Sequence, residues 1–212
     1  MKKIGCLWLF LFLFMIQSQM VEVSASTVNA DPINPSTLES LRHGGYILYV
    51  RHGEATIGVD QQHIIYKDCA TQRNLSEEGR KQSVSFGDAF RRLHIPVHYP
   101  VIASPFCRTR ETAELAFGKQ NVQIDPYWIK IYQLGGHGTP SDQANTLTEL
   151  TNTLEKVPVS GTNTVIVDHG FPQGIGLGEI PYLGTVVVKP KGRGNGYDIV
   201  DRISLEKLTG SP

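Results

Sequence analysis

The stretch Leu48-Tyr49-Val50-Arg51-His52-Gly53-Glu54 decides how this chain folds. Residues 46–50 are apolar and β-prone, and Gly53 ends the run. A permanently charged guanidinium and an imidazole therefore arrive together at a strand's carboxyl end, the edge at which open α/β sheets bind ligands. The pattern returns downstream as Thr164-Val165-Ile166-Val167-Asp168-His169-Gly170. Two strands ending in His-Gly, with Arg108 between them in the sequence, predict one site that binds an anion and attacks it with histidine.

Outward from these strands, helices alternate with sheet. Residues 37–43 read as a short helix, and 54–74 as a long polar loop. Ser76 caps the next helix, with Glu77 and Glu78 favourable in its first turn. Val84, Phe86, Ala89, Phe90 and Leu93 form its expected apolar face, and Pro96 ends the element. Strand 101–103, helix 109–117, strand 122–124 and a helix from about 141 to 156 follow, then strands 164–167, 185–188 and 197–203. The last two, joined by a glycine-rich turn, read as a hairpin extending the sheet. This alternation predicts an α/β three-layer sandwich with a largely parallel central sheet covered on both faces.

The 212-residue chain has a formal net charge of zero. Lys2 and Lys3 precede an apolar run over 7–16, and a small-residue site follows at Ser24-Ala25. That order predicts a cleaved secretory signal peptide over residues 1–25. The run is short of the roughly 20 residues of a membrane span, so stable insertion after cleavage is not expected. Cleavage leaves 18 basic and 19 acidic residues, a net charge of −1, which argues against a nucleic-acid partner. Residues 26–36 read as a flexible lead-in, and 37–212 as one domain. Of the cysteines, Cys69 and Cys107 stay in the exported chain, where an even pair predicts a disulfide. Oligomeric state has no signature here.

The chemistry expected of these residues is that of a phosphoryl group. Arginine's planar fork matches phosphate geometry, and Arg51 and Arg108 each follow a buried strand. An unprotonated imidazole is a competent nucleophile near neutral pH. A second, cationic histidine would stabilise charge on the equatorial oxygens.

These residues carry a family resemblance. Leu48 to Glu54 resembles the signature of the histidine phosphatase superfamily, whose fold is that of phosphoglycerate mutase. Asn74-Leu75-Ser76-Glu77-Glu78-Gly79-Arg80 resembles its helix-opening segment, and Ala103-Ser104-Pro105-Phe106-Cys107-Arg108-Thr109-Arg110-Glu111-Thr112-Ala113 its second arginine motif. Residues 165–170 are similar to its second histidine motif. The resemblance, to the small branch, implies hydrolysis of small phosphate monoesters through a phosphohistidine on His52. Arg51, Arg108 and His169 would hold the phosphoryl group, with no metal and no cofactor. The family's glutamate acid has no counterpart in residues 130–137, leaving Glu54, Asp142 and His137 as candidate proton donors. Asp168 is as readily a supporting group as a catalyst. Residues 171–178 are poor helix material where the family has a helix, which would either open the pocket or remodel it.

Other readings weigh less. Zinc on His52, His169, Asp168 and His137 would sit beside Arg51 and Arg108, without any close-spaced ligand pair. A non-catalytic phosphate-binding module of the same fold and a phosphomutase are the remaining alternatives. Arg73 and Arg80 are expected to be solvated charges flanking a helix.

Overall fold

The computed structural model describes residues 32–136 and 138–210. The expected signal segment, 1–25, lies outside them, as does His137. Of the expected lead-in, residues 32–36 are described: Ile33 is buried in the core, and Pro35 opens a helix whose N-cap is the Asn34 side chain.

A sheet of six strands forms the middle layer, in the order β3-β2-β4-β1-β5-β6. The strands are β1 (Ile47–Arg51), β2 (Val97–Ala103), β3 (Val122–Ile124), β4 (Asn163–Asp168), β5 (Thr185–Pro190) and β6 (Tyr197–Ile203). The first four run parallel, while β5 runs antiparallel to both β1 and β6. The predicted α/β sandwich is what forms. The helices are α1 (Pro35–His43), α2 (Glu77–Arg92), α3 (Cys107–Phe117), α4 (Ile129–Gln133), α5 (Pro140–Leu154) and α6 (Leu205–Thr209). Sequence periodicity missed α4 and α6, each little more than one turn and too short to show a repeat.

Alternation along the strands sorts side chains into two cores. Leu48, Val50, Val165 and Val167 pack with Phe86, Phe90, Ala113 and Phe117 on the α2 and α3 side. Ile47, Tyr49, Ile166 and Val186 face the other way, against Trp128, Ile131, Leu150 and Phe171. Arg51 shares the parity of Tyr49 and so emerges on the α4 side. The register pairs Arg51 with Asp168, which brings both strand ends to one edge. Among the described residues no helix is long and apolar enough to cross a membrane.

Candidate active site

Where β1 ends, backbone hydrogen bonds fix the turn. The His52 amide donates to the Asp168 carbonyl at 2.9 Å, and the Gly53 amide donates to Thr112 Oγ1 at 3.0 Å. Helix α2 comes so close that a Cβ on Gly53 would lie 2.7 Å from the Gly79 carbonyl oxygen, and one on Gly79 would run into the Glu54 carbonyl. Both motif glycines thus let helix and loop touch.

The two histidines converge. Their ring centroids are 5.2 Å apart at 79°, and both rings are nearly wholly buried. His52 Nδ1 lies 2.7 Å from the Gly53 carbonyl, which can only accept, so this nitrogen carries the proton and Nε2 keeps a free lone pair. Burial first, then the positive charge of Arg108, pushes the His52 pKa well below 6.5. His169 is shifted the same way, by burial and then by Arg108 and His52. The expectation of a cationic second histidine is therefore corrected for the free protein: both rings are neutral near neutral pH. His169 packs edge-on to Phe106, with centroids 4.6 Å apart.

Arg51 donates to the Ile180 carbonyl at 2.7 Å and lies over the Tyr182 ring at 4.3 Å. Arg108 is fully buried and lies over the Phe106 ring at 4.5 Å. Its Nη1 and Nη2 donate to Asp60 Oδ1 and Oδ2 at 2.8 and 3.1 Å. The alternative arginine, Arg110, lies beside the disulfide, with Nη2 3.5 Å from both sulfurs. Arg51 Nε, Arg108 Nε and His169 Nε2 are buried without a hydrogen-bond partner, a rare condition that an anion would relieve.

A cavity of about 510 Å³ opens over this cluster, lined by Arg51, His52, Arg73, Tyr132, His169 and Glu179 among others. Arg73 was expected to be a solvated charge flanking α2. Instead it lines the cavity, because its Nη1 is bound to the Ala55 carbonyl at 2.9 Å. Asp60 was not singled out at all. Its carboxylate accepts from Arg108, from the Arg73 amide at 2.9 Å and from the Tyr132 hydroxyl at 3.2 Å. Burial raises the Asp60 pKa, but these hydrogen bonds outweigh it and the net shift is downward. The only sequence signal for either residue was position, between the first histidine and the helix-opening motif.

The other candidate proton donors lie elsewhere. Glu54 Oε1 accepts from Ser76 Oγ at 2.7 Å at the start of α2. Asp142 closes a capping box with Thr139 at the start of α5. Neither lines the cavity. Asp168 is fully buried and accepts from the Tyr49 hydroxyl at 3.2 Å, while its Oδ1 lies 4.0 Å from His169 Nε2. Burial raises its pKa well above the usual carboxylate range. Among the described residues no group of three or more metal-type donors forms.

The segment after His169 is non-helical but folded. Phe171, Leu177, Ile180 and Leu183 are buried, and Phe171 packs on Tyr49 at 5.3 Å. It forms one wall of the cavity through Phe171, Pro172, Ile180 and Pro181. Opposite, Cys69 and Cys107 form a disulfide with Cα atoms 5.7 Å apart, which ties the 54–74 loop to the first turn of α3.

Residues 47–131 match the family described as "Histidine phosphatase superfamily (branch 1)". Three of the four ordered motifs fall within this match, and the fourth, at 165–170, lies beyond it. No curated protein matches. Among solved structures, the chain is similar to a mutant phosphoserine phosphatase from Entamoeba histolytica with phosphoserine bound (17% identity, 77% of this chain and 98% of that chain, TM-score 0.48). It is also similar to the protein histidine phosphatase SixA complexed with tungstate (15%, 77% and 99%, TM-score 0.47). A third likeness is to a mycobacterial glucosyl-3-phosphoglycerate phosphatase (16%, 68% and 92%, TM-score 0.45).

Proposed function

We propose that this protein is a phosphatase that hydrolyses small phosphate monoesters through a phosphohistidine on His52. The observation that carries the reading is the arrangement at the strand ends: two neutral imidazoles 5.2 Å apart, with Arg51 and Arg73 in the same cavity and Arg108 close behind. His52 presents Nε2 as a lone pair because Nδ1 is committed to Gly53. The guanidiniums supply fixed positive charge where a phosphoryl group gathers negative charge in transfer. His169, neutral in the free protein, gains a proton most readily once an anionic phosphoryl group sits beside it. The site works without a metal in this reading, because its fixed charges are already cationic. The disulfide and the amino-terminal signal pattern support an extracytoplasmic location, where thiols are oxidised.

The test is capture of the intermediate. Mixing the protein with a chromogenic aryl phosphate and quenching in alkali is expected to trap an acid-labile phosphoprotein. His52→Ala is expected to lose both the trapped phosphate and turnover, by at least about a thousandfold, while keeping its melting temperature. Phosphate binding without any turnover in the unaltered protein would favour a non-catalytic phosphate-binding module instead.

A further inference from the structure

Arg108, just behind the cavity, is already holding an anion that belongs to the protein. Asp60 spans both terminal nitrogens of Arg108 and takes the Tyr132 hydroxyl as well. Arg108 has no exposed side-chain surface, whereas the Asp60 side chain keeps 14%. A phosphoryl group that is to use the terminal nitrogens of Arg108 must therefore exchange places with this carboxylate. Leaving-group departure, meanwhile, needs an acid: a neutral imidazole is far too weak a one, and Glu54 and Asp142 are committed to helix caps.

We propose that Asp60 is the proton donor of the reaction, switched on when the substrate's phosphoryl group takes Arg108 from it. The inference rests on the phosphatase reading above. At neutral pH a phosphate monoester exists partly as a monoanion, with one proton on a phosphoryl oxygen. As Arg108 turns from the carboxylate to the phosphoryl oxygens, Asp60 loses its cation and gains an anionic neighbour. Both changes favour its protonated form, so the substrate's proton passes to it. The bond from His52 Nε2 to phosphorus then forms as the ester P–O bond breaks. Asp60 gives its proton to the departing oxygen, which leaves as an alcohol. Water next attacks phosphorus, Asp60 takes a proton from it and the N–P bond breaks; phosphate departs with that proton as the monoanion, and the Asp60 carboxylate returns to Arg108. The charged and titratable groups that face Asp60 are Arg108 from α3 and Tyr132 from α4, while Arg73 of its own loop reaches it through the backbone amide. The Cys69–Cys107 link keeps the displaced loop close to Arg108 during the exchange.

The experiment compares two esters of similar shape, 4-nitrophenyl phosphate and phenyl phosphate, whose leaving oxygens differ in basicity. Asp60→Asn is expected to lose about 100-fold or more in kcat/KM on phenyl phosphate but less than about tenfold on the nitrophenyl ester. Asp60→Glu, which restores a proton at a shifted position, is expected to recover part of the selective loss. Calorimetry with inorganic phosphate, expected to show binding by Asp60→Asn at least as tight as the parent's, reports an intact cradle. Glu179→Gln, which removes the carboxylate that lines the cavity, is expected to show no leaving-group dependence. Equal losses on both esters, or a gain on both, would overturn the proposal, as would a Glu variant no better than Asn. If the unaltered protein forms phosphohistidine while Asp60→Asn shows no selectivity, Asp60 alone is misassigned. If the unaltered protein turns over neither ester, the phosphatase reading falls and takes this one with it.

Discussion

The rings of His52 and His169 meet edge to face, 5.2 Å apart, although 116 residues separate them in the chain. The parallel pairing of β1 with β4 makes this happen, since the register that sets Arg51 beside Asp168 puts the next residue of each strand at the same edge. The His52 amide then closes on the Asp168 carbonyl and locks the two strand ends together.

That enclosure has a pH signature. A nucleophilic imidazole must be unprotonated, and His52 is pushed well below 6.5. The acidic limb of kcat/KM, which reports the free protein, is expected below the ordinary histidine range. Stability moves with it. As pH falls through 6.5 the unfolded chain takes a proton on each histidine while the folded one does not, so unfolding is favoured progressively toward the lowered folded values. Urea midpoints measured between about pH 7 and pH 5 are expected to fall, and the slope to shrink in His169→Gln.

Arg73 lines the cavity but is bound to a loop carbonyl rather than to a carboxylate. Arg73→Ala is expected to raise KM for an aryl phosphate about tenfold or more, the worth of a charged hydrogen bond, with a smaller change in kcat. A fall in kcat with KM unchanged would contradict this assignment.

The disulfide closes a loop of sequence separation 38 that contains Arg73, and Asp60 lies just before it in the same polar loop. On the chain-entropy account, losing it costs about 4 kcal/mol. Cys69→Ser is expected to lower the denaturant midpoint and to raise KM, because the loop that carries Asp60 and the cavity residue Arg73 is released. Mass spectrometry of the unreduced protein is expected to show no alkylatable thiol at either position.

Gly79→Ala places a methyl group against the Glu54 carbonyl, on the rigid turn that follows the nucleophile. The expected cost is about 2 kcal/mol or more in stability, by overpacking. A circular-dichroism melt close to that of the unaltered protein would rule out so tight a contact.

Much of the site was legible because strands announce themselves locally. Apolar runs ending in Arg-His-Gly and Asp-His-Gly specify buried strands and what their carboxyl ends carry. The two predicted histidines and the predicted Cys69–Cys107 pair come together accordingly. Arg108, expected to hold the phosphoryl group, is paired with Asp60, a partner no sequence pattern pointed to.

The order of apolar runs, caps and turn residues by itself determined the alternating architecture, the strand-end histidines and the family motifs, because each is written in neighbouring residues. Only the tertiary structure decided what the polar loop over 54–74 contributes, and that the segment after His169 packs as a wall. Those outcomes depend on contacts between residues far apart in sequence, such as Asp60 with Arg108 and Arg51 with Ile180. Periodicity carries no trace of such pairs, and the burial that shifts the histidines exists only once both cores have closed around them.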